Sequence, residues 1–208
     1  NIKPPVDLQT GLVAYYPFNG NANDENGNGN HGMLYGPTIT EDRNGSENSA
    51  FYFDGIDDMI ESIDSIPIQG NSAKSMSVWI NALTYKNGMA TICGWGDTYS
   101  YGGLFLLHLY DLDSSICFHG HQHFGQINDF FSTPHSALLN QWIHVVVVYD
   151  CAIACLFING ILNSILDPES DLITASNTFR IGFDDGIFNP IGTWNQYFNG
   201  KIDDIRIY

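Results

Sequence analysis

Short apolar runs, each closed by a cluster of Gly, Asn, Asp or Ser, recur from one end of this chain to the other. That punctuation specifies strands and turns, and no segment sustains the 3.6-residue period of an amphipathic helix. Residues 134–139 have room for one helical turn at most. Strands are expected at 12–18, 50–53, 59–63, 75–82, 90–95, 103–110, 115–119, 142–149, 156–159, 178–183 and 201–208. The run 75–82 sets Met76, Val78 and Ile80 against Ser75, Ser77 and Trp79, the alternation of a half-buried strand. The unbroken valines Val145 to Val148 predict a strand covered on both faces at the middle of the fold. Asn159-Gly160 supplies a hairpin turn of the kind that needs positive φ. No linker, charge block or repeat divides the chain. The expected fold is all-β: one domain over 1–208, two antiparallel sheets packed face to face as a β-sandwich. With 44% hydrophobic residues in 208, the chain can fill such a core.

Charge narrows the partners. Seven Lys and Arg against 23 Asp and Glu give a formal net charge of −16. That field repels phosphate backbones and anionic lipid, so nucleic acid and membrane surfaces are poor partners. Sialylated and sulfated glycans are disfavoured for the same reason, save at a local basic spot. Hard cations such as calcium are favoured, because they take oxygen ligands. No run approaches the roughly 18 apolar residues that span a bilayer. The chain opens at Asn1 with no signal-peptide pattern and reads as a mature or excised piece of a larger multidomain protein.

Cys93, Cys117, Cys151 and Cys155 form no CxxC pair and have no His at zinc-finger spacing. Cys151 and Cys155 flank a hairpin tip and are near enough to bridge; Cys93 and Cys117 would then pair or stay as buried thiols. Four reduced cysteines is the equal alternative.

Four segments resemble the concanavalin A-like, laminin G-like jelly-roll family. The first is Gly11-Leu12-Val13-Ala14-Tyr15-Tyr16-Pro17-Phe18, followed by the Asn- and Gly-rich loop Asn23 to Gly32. Next come Phe53-Asp54-Gly55-Ile56-Asp57-Asp58 and the Trp142 to Asp150 strand with Asn159-Gly160. The closing strand is Phe198-Asn199-Gly200-Lys201-Ile202-Asp203-Asp204-Ile205-Arg206-Ile207-Tyr208. Their order and span imply a sandwich of a dozen or so strands, and a module of secreted, often multidomain proteins. The family does not imply one ligand, since members bind sugars, bind proteins or space other domains. One departure is the tip Cys151-Ala152-Ile153-Ala154-Cys155, where the family carries a polar, Gly-containing turn.

The loop after the first strand has the oxygen-rich composition of a calcium cradle. Asp24 is its anionic ligand, with Asn19 and Asn30, and also Asn26 and Asn28, as amide or carbonyl donors. Asp203, counted onto the same face as Ile205 and Ile207, needs a partner there, and the calcium common near the two chain ends of related jelly rolls would serve. The competing reading is an Asx-turn-rich loop capping its own backbone, with Asp203 bonding amides. Asp54, Asp57 and Asp58 read as turn chemistry ahead of a ligand site.

For a sugar, the segment 93–101 is the expected edge. Trp95, Tyr99 and Tyr101 would stack on sugar rings, Asp97 would take hydroxyls, and the glycines would leave room for a flat ligand. His119, His121 and Trp194 are expected beside it, whereas Trp79 and Trp142 suit the core. His119, His121 and His123 share one face if the strand continues; an exposed polar loop and a metal site are the other readings. Catalysis has little support. The Glu-x-Asp-x-Glu of related sandwich glycosidases has no second Glu after Glu61-Ser62-Ile63-Asp64, and no serine-elbow, nucleotide or His-Glu-x-x-His motif occurs. The expected function is an extracellular, calcium-stabilised, non-catalytic module that binds a glycan or polysaccharide, or acts in adhesion. The alternatives are a structural or protein-interaction domain and, behind it, a glycan-degrading enzyme.

Overall fold

The computed structural model describes residues 7–84, 88–96, 103–120, 129–168, 171–183 and 197–208. Two antiparallel sheets face each other across one core, as the alternation predicts. One has the order β13 (Ile161–Leu166), β12 (Ala154–Ile158), β11 (Ile143–Tyr149), β6 (Lys74–Ala82), β15 (Asn199–Ile207), β4 (Ala50–Asp54) and β3 (Thr38–Thr40), and β1 (Ala14–Tyr16) also pairs with β15. The other runs β10 (Asp129–Phe131), β9 (Ser115–His119), β8 (Leu104–Tyr110), β7 (Met89–Gly96), β14 (Thr178–Ile181), β5 (Met59–Ser65) and β2 (Gly32–Tyr35). No helix forms among the described residues, and 134–139 turns without making one.

Between the sheets lie aromatic pairs. Tyr16 and Phe179 stack with centroids 5.8 Å apart, and Phe105 meets Phe118 edge-on at 4.9 Å. Burying each such ring contributes roughly 1.5–3 kcal/mol. In β6, Met76, Val78 and Ile80 enter the core while Ser75, Ser77 and Trp79 stay half-buried on the outer face. The valines of β11 behave likewise, contrary to expectation. Val145 and Val147 are buried, but Val148 is 36% exposed, so apolar composition did not require cover on both faces. Strands buried on both faces occur instead at β8 and β9.

All four cysteines are free thiols. Cys93 is in the core against Met76, whereas Cys117 opposes His108 on the outer face of its sheet, so these two cannot meet. Burial pushes both thiols up. Cys151 is exposed in the turn and Cys155 half-buried on β12.

Candidate binding site

β15 has β6 along one side. Along the other, β4 pairs with Asn199 to Ile202 and β1 with Ile205 to Ile207. Asp203 and Asp204 fall in the break between those two partners. There the register slips: Asp203 opposes Trp79 and Arg206 opposes Ser77, so three steps on β15 match two on β6. The extra residue is a β-bulge, and Asp204 takes φ of 49°, a left-handed conformation that Asp tolerates. Ile202 and Ile205 can therefore both enter the core. Asp203, paired with the outward Trp79, lies on the outer face rather than with Ile205 and Ile207. Simple alternation fails here because the bulge resets it.

Arg43, from the loop between β3 and β4, forks over both carboxylates. Its Nη1 donates to Asp203 Oδ2, and its Nη2 to Asp204 Oδ2 at 2.9 Å. Arg206 Nη1 lies 2.9 Å from Asp204 Oδ1. Burial pushes the Asp203 carboxyl up to about 6, against the lowering pull of Arg43. Arg43 also stands 4.9 Å from the Trp79 ring centroid, and His144 stacks on Trp79 at 4.8 Å. Trp79 is thus flanked by β11 on one side and the ion pair on the other. Burial lowers the pKa of His144. Arg206 covers Tyr15 at 4.4 Å.

Beside this array a cavity of about 110 Å³ opens at the strand break. It is lined by Tyr15, Pro17 and Asn19 from β1 and the loop after it, by Asp42, Arg43 and Ser49 from the loop between β3 and β4, and by Asp203 and Asp204. Asp42 Oδ1 accepts the N–H groups of Asn44 and Ser46, both at 2.8 Å, which pins the loop that carries Arg43. The result is a row of fixed carboxylate acceptors with one guanidinium, open to solvent beside Tyr15 and Pro17. Such a row can accept hydrogen bonds from hydroxyls. Of its residues only Asn19 and Asp203 are picked out by the sequence reading. Arg43 is missed because its partners lie 160 positions away.

The set expected to share calcium does not fit one. Four N–H donors converge on Asp24: those of Tyr15 at 2.9 Å, Asn26 at 3.1 Å and Asn30 at 3.1 Å, and the Asn30 amide at 3.3 Å. Asn30 spends its amide on Asp24 and the Val13 carbonyl. A carboxylate ringed by donors has no lone pair left for a cation, and Asp203 is held by Arg43. The Asx-rich reading describes this loop. Asp54, Asp57 and Asp58 are the only three acidic groups tight enough for an ion among the described residues, with one oxygen of each within 4.8 Å of the others. Asp54 and Asp58 serve their own turn: Asp54 donates its N–H to Asp58 at 2.7 Å and accepts that of Ile56 at 2.7 Å.

Trp95 is 1% exposed and cannot stack on a sugar. Its ring packs 4.9 Å from Phe105, and its N–H donates to the Ile68 carbonyl at 3.3 Å. The flanking glycines do not make room for a ligand. A Cβ on Gly94 would sit 2.3 Å from the Phe105 carbonyl oxygen, and one on Gly96 2.3 Å from that of Gly103, so they let β8 close onto β7. His119 is also buried, with Nδ1 3.0 Å from Asp129 and its ring edge-on to His108 at 4.7 Å. Asp97, Tyr99, Tyr101, His121, His123 and Trp194 lie outside the described residues.

Comparison with known proteins agrees with this architecture. No curated protein matches the chain in sequence. Domain 4 of AbnA, a GH43 extracellular arabinanase from Geobacillus stearothermophilus solved in complex with arabinotriose, is similar in structure. Its TM-score is 0.70 at 19% identity, over 95% of this chain and 91% of that one. The binding domain of botulinum neurotoxin serotype D aligns at TM-score 0.65 and 17% identity, over 96% of this chain and 48% of that one. The serotype D/C binding domain gives 0.67 and 14%, over 97% and 49%. The chain thus spans about half of each toxin domain. At these identities the likeness is one of fold. A laminin G-like family model matches residues 46–208, most of the chain. The chain belongs to the concanavalin A-like lectin/glucanases superfamily.

Proposed function

We propose that this domain is a non-catalytic carbohydrate-binding module of a secreted or cell-surface protein, with its site in the cavity at the break between β1 and β4. The observation that carries the reading is the fixed row of Asp42, Arg43, Asp203 and Asp204 opening beside Tyr15 and Pro17. Carboxylates held by an arginine accept sugar hydroxyls without having to order on binding. The arabinotriose bound to the structurally similar arabinanase domain supports a sugar over other small ligands. The extracellular setting is proposed from the family's secreted modules. Arg43 engages Oδ2 of both Asp203 and Asp204, and we read the pair as hydroxyl acceptors rather than as a nucleophile and a base. Glu61, the one glutamate in the motif compared with glycosidases, is tied to Thr178 at 2.7 Å and Arg180 at 3.2 Å.

A protein-interaction domain is the second reading. It is favoured by one apolar edge of the sandwich, where Met33 and Leu34 on β2 are each 48% exposed and Ile39 on β3 is 38% exposed. A broad glycan array separates the two. The carbohydrate reading expects binding in calcium and in chelator alike, weakened by Asn19→Ala. An array without binding above background moves the domain to the interaction class.

A further inference from the structure

We infer that the cavity takes one uncharged sugar residue at the end of a glycan chain and rejects acidic sugars; this rests on the carbohydrate reading above. Size gives the first half. An engineered cavity of about 150 Å³ holds a benzene ring, so about 110 Å³ open at its mouth takes at most one sugar ring, with part of it outside the mouth. A chain interior needs a groove long enough for several rings. Here the eight described residues that line the space fall short of such a groove.

Charge gives the second half. Three carboxylates line the cavity and, among the described residues, Arg43 is the one cation lining it. Both Nη atoms of Arg43 already face Asp203 and Asp204, so its charge is spent. Arg206 is held by Asp204, and Lys201, further along β15, by Glu41 at 3.2 Å. A uronic or sialic acid would bring its carboxylate against Asp42, Asp203 and Asp204, and no unpaired cation among the described residues lines the cavity to meet it. A hydroxyl instead donates to those oxygens in a charge-assisted bond, which is stronger than a neutral one. Asn19, which also lines the cavity, carries an amide able to donate back.

The test titrates the intact chain by calorimetry against two sets of probes. One is neutral oligosaccharides of arabinose, xylose, glucose, galactose and mannose, from two to six residues long. The other is oligomers of glucuronic, galacturonic and mannuronic acid. The expected result is binding confined to the neutral set, at least tenfold tighter than to any uronate. Affinity per chain should not depend on length, and Ser49→Trp, which fills the cavity, should abolish binding. Asn19→Ala, at an exposed side chain, is the milder variant should Ser49→Trp melt early, and should weaken binding several-fold. Uronates that bind as tightly and respond to these variants overturn the inference and leave the carbohydrate reading standing. Affinity that climbs with each added residue does the same. No binding in either set, or binding indifferent to both variants, overturns the reading and the inference together.

Discussion

Two tryptophans exchange the places expected of them, Trp79 in the core and Trp95 at a binding edge. Trp79 shares the period of Ser75 and Ser77 and stands on the outer face, whereas Trp95, set between two glycines, fills the core. Trp95→Ala should therefore cost about 3–5 kcal/mol, the usual loss for a large aromatic removed from a core. Chemical denaturation checks this; a near-native midpoint would return Trp95 to the surface. Asp24→Asn removes a charged acceptor from four donors and should destabilise by about 1–3 kcal/mol, equally in calcium and in chelator. A loss seen only in calcium would restore the metal role. Among the thiols, Cys151 should be alkylated in the native protein, while Cys93 and Cys117 react only after unfolding. Mass spectrometry reads the order, and a Cys151–Cys155 bridge in the unreduced protein would contradict it.

At the scale of the element, the bulge in β15 is what creates the site. It spends one residue to turn two adjacent carboxylates toward the same face, at the point where no strand pairs that edge. Asp203 is raised to about 6, so the folded state binds more protons than the unfolded one between about pH 4 and pH 6. Its contribution to stability is present at low pH and lost as pH rises through the folded value. Taking the pH from about 7 to about 5 should therefore stabilise the native protein by about 1 kcal/mol relative to Asp203→Asn. Parallel denaturation curves for the two proteins at both pH values check the sign; an opposite shift would show that Arg43 outweighs burial. The sequence reveals β6, β11 and the sandwich they imply, because period two is a local signal. The bulge is invisible to it, since Asp203-Asp204 inside Lys201 to Tyr208 counts as unbroken alternation. β2, β3 and β10 are equally hidden, being three- or four-residue strands made by their partners rather than by their own pattern.

For the whole molecule, the two faces of the sandwich differ in what they offer. In one sheet the strands β7, β8 and β9 are buried on both sides, so Trp95 and His119 belong to packing. The opposite sheet keeps a half-exposed outer face across which Tyr15, Arg206, Asp204, Arg43, Asp203, Trp79 and His144 form one connected array. Residues 93–96 of the expected edge lie on β7, in the other sheet from the strand break, and a bound glycan distinguishes the two places without any mutation. Backbone amide NMR spectra of the isotope-labelled chain, titrated with the tightest neutral oligosaccharide, should show the largest shifts at Tyr15, Asn19, Arg43, Ser49 and Asp204. Shifts gathered instead around Gly94, Trp95 and His119, with those at the strand break unmoved, would contradict a sugar site between β1 and β4.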